Sequence, residues 1–158
     1  MVIYYSWKGH TKTYAQELAA LRKDTAFELV EKNKRSDIGG FISGCFQSVT
    51  KKETPVIGMP DLNKENEIYV CSPIWASGIA PAVRYFINHA PLKGVTVNFL
   101  LTCGNVSRHE DYRKSAFAAL AATEAGQGAA YVFACPMKGE IDAGMMRNHI
   151  EKVILGVE

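Results

Sequence analysis

The sequence predicts an α/β fold: a doubly wound, five-stranded parallel sheet with helices on both faces, built by one domain over residues 1–158. Two observations carry this. Five short apolar runs alternate with five stretches of helical periodicity, the signature of repeated strand–helix units. The runs are unbroken rather than alternating, as in strands covered on both faces. Right-handed crossovers then make the doubly wound arrangement nearly obligatory. A chain of 158 residues has room for one well-buried domain but not for two ordinary ones.

Val2–Tyr5 is the first strand, and Tyr14, Leu18 and Leu21 follow at helical spacing, so a helix leaves the turn Ser6–His10 and runs to about Lys23. Phe27–Val30 is the second strand. Ile38, Phe41, Ile42, Cys45, Phe46 and Val49 then fall on one helix face, with Ser36 or Asp37 as its cap. Gly39 and Gly40 loosen its first turn, each at a cost of roughly 1 kcal/mol against Ala. Thr50–Glu67 holds Pro55, Gly58 and Pro60 without periodicity and reads as a long surface connection. After the third strand, Ile68–Cys71, Pro81 suits the first turn of a helix that buries Val83, Phe86 and Ile87 and ends near His89. Val95–Leu101 is the fourth strand. Ser107 and Glu110 then have capping-box spacing, which starts a helix at about Arg108, lines it with Tyr112, Phe117 and Leu120, and stops it before Gly126. Ala130–Ala134 is the fifth strand, and the last helix turns Met146, Ile150, Val153 and Ile154 inward before Gly156.

Composition excludes several classes. The apolar fraction of 47% and charged fraction of 22% are those of a soluble globular protein, and no stretch approaches a membrane span. The chain enters a strand at once, with no signal-peptide pattern, so a cytoplasmic setting is expected. A formal net charge of +2, evenly interspersed, argues against nucleic acid or a membrane surface as partner; Lys32, Lys34 and Arg35 read as a solvated turn. Cys45, Cys71, Cys103 and Cys135 form no C-x-x-C pair and no zinc spacing, so reduced thiols are expected. His10, His89, His109 and His149 show no metal-ligand spacing either. The dinucleotide fingerprint, the P-loop and the G-x-S-x-G elbow are all missing from the sequence.

In doubly wound sheets ligands sit outside the C-terminal ends of the strands, which singles out three loops. In SWKGHT, Ser6–Thr11, a strand feeds backbone N–H groups into a helix N-terminus. Ser6, Thr11 and Thr13 add hydroxyls, Lys8 adds a fixed charge and Gly9 permits a tight bend, so the simplest guest is a phosphate. In SPIWASGIAP, Ser72–Pro81, one large aromatic, Trp75, stands among small uncharged residues beside Gly78, a setting for a flat apolar ring. In TCGNVS, Thr102–Ser107, Gly104 and Asn105 tolerate left-handed backbone and can turn successive N–H groups outward.

The segment VIYYSWKGHTKTYAQELA resembles the opening of flavodoxins and flavodoxin-like proteins, whose loop wraps the phosphate of FMN. Ser6, Gly9 and Thr11 match that pattern, Lys8 stands where Thr or Ser is usual, His10 where Asn is usual, and Trp7 fills a variable position. The likeness extends by position and composition over essentially the whole chain. It implies strand order 2-1-3-4-5, with the binding crevice between strands one and three. It also implies FMN bound through Ser6, Trp7, Lys8, Gly9, His10 and Thr11 at the phosphate, with Ser72, Pro73, Ile74, Trp75, Ala76, Ser77 and Gly78 along one side of the isoalloxazine ring. Thr102, Cys103, Gly104 and Asn105 would face the pyrimidine edge, with Tyr112 as a second wall.

The function expected from the resemblance is electron transfer through non-covalently bound FMN, with a redox protein or a small-molecule electron acceptor as partner. An NAD(P)H-dependent reductase of quinones or related acceptors is the close alternative, and a flavin-free interaction domain is the second. No catalytic side chain and no metal ligand are assigned. Arg108 and Arg113 offset Glu110 and Asp111, leaving no acidic docking face of the kind that steers a carrier to a basic partner. Cys71, Cys103 and Cys135 should stand as near neighbours at strand ends, as small buried thiols.

Overall fold

Val2 and Tyr4 point to one face of the sheet and Ile3 and Tyr5 to the other, and along this alternation the core divides in two. The structure, a computed structural model, describes residues 1–33, 37–135, 142–154 and 156, with the side chains of 37–42 and 153 outside it. Five parallel strands run in the order β2 (Ala26–Glu28), β1 (Val2–Tyr4), β5 (Glu67–Trp75), β7 (Thr96–Cys103), β8 (Gly126–Ala134). This is the expected 2-1-3-4-5 arrangement. On one face α1 (His10–Arg22) and α5 (Ala143–Ile154) bring Tyr14, Ala15, Leu18, Met146 and Ile150 against Val2, Tyr4, Cys71 and Leu100. On the other, α3 (Pro81–His89) and α4 (His109–Leu120) bring Val83, Phe86, Ile87, Ala116 and Leu120 against Ile3, Val70, Phe99 and Leu101. Among the described residues no helix is long and apolar enough to cross a membrane.

Several local expectations need correction. The second strand ends at Glu28: Leu29 is buried and donates its N–H to Tyr4 O at 2.7 Å, and the chain then leaves the sheet. Val30 belongs instead to a two-stranded antiparallel ribbon, β3 (Val30–Glu31) with β4 (Val56–Ile57), inside the stretch expected to hold no element. Two-residue strands are too short to leave a periodic signal. The third strand runs on to Trp75 and folds back as β6 (Gly78–Ile79), so SPIWASGIAP is a hairpin rather than a loop. The fourth strand likewise takes in Thr102 and Cys103.

Helix α2 (Asp37–Val49) forms where its periodicity predicts, but Phe46 and Val49 are 64% and 62% exposed rather than inward. The helix presents Gly44 and Ser48 to the protein instead, and Ser48 Oγ donates to Ile79 O at 3.0 Å, so close approach to the hairpin wins over burial of the aromatic. Its expected cap, Ser36 or Asp37, and the inward turn of Ile38, Phe41 and Ile42 lie outside the described side chains, as does that of Val153 in α5. The capping box at α4 is also not formed. Arg108 occupies the N-cap without a side-chain bond, the Ser107 N–H goes to Asn105 Oδ1 at 2.8 Å, and Glu110 pairs with Arg113 at 2.8 Å.

Candidate functional site

The C-terminal ends of β1, β5 and β7 bring the three loops singled out by sequence to one edge of the sheet. Tyr5 continues the pairing of β1 through its N–H to Cys71 O at 3.1 Å, and Ser6 then turns the chain by accepting the Gly9 N–H on Oγ at 3.1 Å. Gly9 is the N-cap of α1 at φ 95°, a left-handed conformation only glycine adopts without strain, and an added Cβ there would meet nothing within 4 Å. No side chain caps α1 and no acidic residue lies in its first turn, so the positive end of the helix is open. Lys8 is exposed and holds its Nζ 4.8 Å from the centroid of the Trp7 ring. His10 is the first helical residue and half-buried. The hydroxyl of Thr11 is buried and bonds that of Thr102 at 2.8 Å, so these two residues tie the first loop to the end of β7.

The hairpin is held at its base and strained at its tip. Ser72 is fully buried and accepts the Ala80 N–H on Oγ at 3.0 Å. Gly78 passes so close to α2 and α4 that a Cβ would lie 2.7 Å from Ser48 Oγ and 3.6 Å from Ser115 Oγ. Pro73 and Ile74 are half-buried in the strand. Ala76 and Ser77 form the turn at φ 45° and 73°, a left-handed pair usually given to Asn and Gly.

Trp75 is 4% exposed, edge-on to Tyr5 at 5.7 Å and to Trp7 at 6.2 Å. Tyr112, 8% exposed, is packed into the same core cluster. Neither side chain stands as an open wall; the half-exposed aromatic at this edge is Trp7. Beyond β7, Gly104 and Asn105 are exposed, and Asn105 spends its side-chain oxygen on the turn. Arg108 then reaches back across: its Nη1 donates to Ser77 Oγ at 2.9 Å, linking the third loop to the hairpin tip.

Two features went unrecognised in the sequence. Arg108 read only as one of several compensating rim charges. A hollow of about 190 Å³ also opens on the β2 side of the first loop, lined by Tyr5, Ser6, Trp7 and Leu29 with the carboxylates Glu28 and Glu31. Nothing in the sequence pointed to it, since Glu28 falls inside the expected strand Phe27–Val30 and closes the strand only in the structure. The carboxylates of Glu28 and Glu31 disfavour a phosphate, so the hollow is distinct from the anion site expected at the start of α1.

All four cysteines are thiols. Burial raises Cys71 well above the ordinary thiol range, raises Cys103, and raises Cys135 to about 12, so none of these three is poised as a nucleophile. Cys103 faces the α3/α4 side and Cys71 and Cys135 the α1/α5 side. Cys103 and Cys135 are nonetheless adjacent along the backbone ladder, the Cys135 N–H reaching Cys103 O at 2.8 Å. Among the described residues no cluster of His, Cys, Asp and Glu has the geometry of a metal site.

A parallel sheet with an open helix N-terminus after its central strand and two further loops at the same edge defines a doubly wound α/β protein. Its particular form is the flavodoxin-like fold. No protein-family model matches the chain. No curated protein matches it either. Among solved structures, a protein described as a flavoprotein from Bacteroides eggerthii superposes with TM-score 0.74 at 16% identity, over 99% of this chain and 97% of that one. One from Bacteroides uniformis gives TM-score 0.74 at 21% identity, over 96% and 97%. A flavoprotein from Lactobacillus acidophilus, solved in complex with FMN, gives 0.69 at 18% identity, over 83% and 90%. At these identities the likeness is one of fold.

Proposed function

We propose that this chain binds FMN non-covalently and transfers electrons through it, exchanging them with a redox protein or a small-molecule acceptor. The observation that carries this reading is the open N-terminus of α1, entered through left-handed Gly9 straight from the central strand. The residues present fit the phosphate end of FMN: an uncapped helix start, room above Gly9, the Ser6 hydroxyl and the Lys8 cation within one turn. At the ring end the fit falls on other side chains than expected. Trp75 meets Trp7 edge-on, and half-exposed Trp7, rather than buried Trp75 or Tyr112, is the aromatic a ring could reach at this edge.

Bound FMN supplies the one- and two-electron chemistry, and the chain supplies orientation and electrostatics. The first loop neutralises the phosphate, the uncharged hairpin keeps water from one side of the crevice, and the third loop closes the other. A second reading, an NAD(P)H-dependent reductase, is favoured by the charge balance at the rim, where Arg108 is paired with Asp111 at 2.9 Å and Arg113 with Glu110 at 2.8 Å. That rim suits a planar, weakly charged molecule better than a strongly basic protein.

Fluorescence-quenching titrations test the assignment. FMN should bind at least tenfold more tightly than riboflavin, since the phosphate contacts are charge-assisted and worth roughly 1.5–3 kcal/mol each. Equal affinities would remove the phosphate from the first loop. Anaerobic stopped-flow mixing of the FMN-loaded protein with NADH or NADPH divides the two readings. Bleaching within about a second marks an enzyme, at usual turnover rates. No reduction by either nucleotide leaves the carrier.

A further inference from the structure

Arg108 is in the wrong place for its own helix. The N-cap favours Ser, Thr, Asp or Asn, and the positive end of a helix disfavours a cation, yet Arg108 stands at the N-cap of α4 and makes no capping bond. Its guanidinium turns away instead, donating from Nε to Asp111 Oδ2 at 2.9 Å and from Nη1 to Ser77 Oγ at 2.9 Å. The second contact crosses from the third loop to the strained tip of a hairpin that carries no charged residue between Ser72 and Pro81. Nearby charges are otherwise engaged, Glu110 by Arg113 at 2.8 Å and by His109 at 3.2 Å. Among the described residues, the cation aimed between the two loops is therefore that of Arg108.

We propose that Arg108 is a cofactor-facing cation that favours the reduced over the oxidised ring. This rests on the FMN reading above. In the protein alone Ser77 Oγ is its resting partner; a ring lying between the hairpin and the third loop offers its polar edge in place of that hydroxyl. On taking up two electrons and one proton the ring gains one negative charge, and a guanidinium beside it binds the reduced form more tightly. Asp111 tempers the effect. Arg108 is also 59% exposed, so solvent screens its charge and the preference is modest.

Dissociation constants for oxidised FMN, and for FMN reduced anaerobically with dithionite, are to be measured for the wild type and for Arg108→Gln, Arg108→Lys and Asp111→Asn. Arg108→Gln should lower the preference for the reduced form about threefold, which is a fall of about 15 mV in the two-electron midpoint potential. Arg108→Lys should keep most of the preference, and Asp111→Asn should raise it. A merely structural role cannot move these variants in opposite directions. An unchanged ratio in Arg108→Gln, with wild-type affinity for oxidised FMN, overturns the role of Arg108 and leaves FMN binding intact. A wild type that binds no FMN in either state overturns both.

Discussion

Lys8 and Gly9 are neighbours in one turn, yet they serve it through different physics. Gly9 supplies backbone shape: at φ 95° an alanine costs roughly 1–2 kcal/mol although nothing obstructs its Cβ. Lys8 supplies charge from an exposed position over Trp7 and contributes nothing to backbone geometry. Gly9→Ala should therefore lower unfolding free energy by roughly 1–2 kcal/mol in a denaturant titration and weaken FMN as well. Lys8→Ala should leave the denaturation midpoint in place, weaken FMN roughly three- to tenfold, and flatten the salt dependence of binding. A Lys8→Ala protein with unchanged salt dependence would show that this cation serves the surface alone. The shape of the first loop is legible in the sequence because Ser6 and Gly9, which turn the chain into α1, lie within four consecutive residues. Trp75 and Tyr112 are not, because whether an aromatic side chain is buried depends on Tyr5, Trp7 and the α3/α4 cluster, which the chain brings up from elsewhere.

The five parallel strands are legible from apolar runs and the five helices from helical periodicity, but the hairpin is hidden twice over. Gly78 and Pro81 punctuate the stretch as a loop would, and the turn Ala76–Ser77 lacks the Asn-Gly signal of a left-handed pair. The hairpin holds that turn from both sides, through Ser48 and Ser115 around Gly78 and through Arg108 at the tip. Strain at Ala76 is then tolerated rather than relieved. Ala76 is exposed, so Ala76→Gly removes no packing; relief of left-handed strain less the backbone entropy of glycine should stabilise the protein by roughly 0.5–1 kcal/mol in chemical denaturation. A loss of stability would mean that the turn is not under strain. The β3–β4 ribbon and the displaced face of α2 went unread for a related reason. A two-residue strand has no period, and a helix that leaves Phe46 exposed to bring Ser48 against the hairpin violates the rule by which helix faces are read.

Over the whole molecule, the buried acids and phenols set a pH window. Burial raises Tyr14 to about 12, and burial together with the hydrogen bond to Glu28 raises Tyr4 to about 12; Cys135 reaches about 12 and Cys71 is raised further. The native state keeps these protons after the unfolded chain has lost them. Stability should therefore fall as pH climbs from the ordinary thiol and phenol range, about 8.5 to 10, towards 12. At the acid end, burial pushes the Asp24 carboxyl up, but hydrogen bonds from the Met1 amine and the Thr25 N–H outweigh it and hold the group low. Burial opposes a low value at Glu53 too, and its bonds with Asn88 and His89 outweigh that in the same way. Their contribution is present above the ordinary carboxylate range, about 4, and is lost as pH falls through their depressed values. Thermal denaturation across pH should give a plateau near neutrality with both flanks falling; a midpoint that holds steady from pH 9 to 11 would contradict the buried protons.

The Thr11–Thr102 hydrogen bond has a consequence of another kind. It clamps the first turn of α1 to the end of β7 beneath the surface, and so sets the span between the Ser6–Gly9 turn and the third loop. Under the proposed FMN reading that span would work as a length standard: a ligand would engage both ends only when its charged head and flat body are spaced to match, so selection would begin with measurement before any contact at the rim.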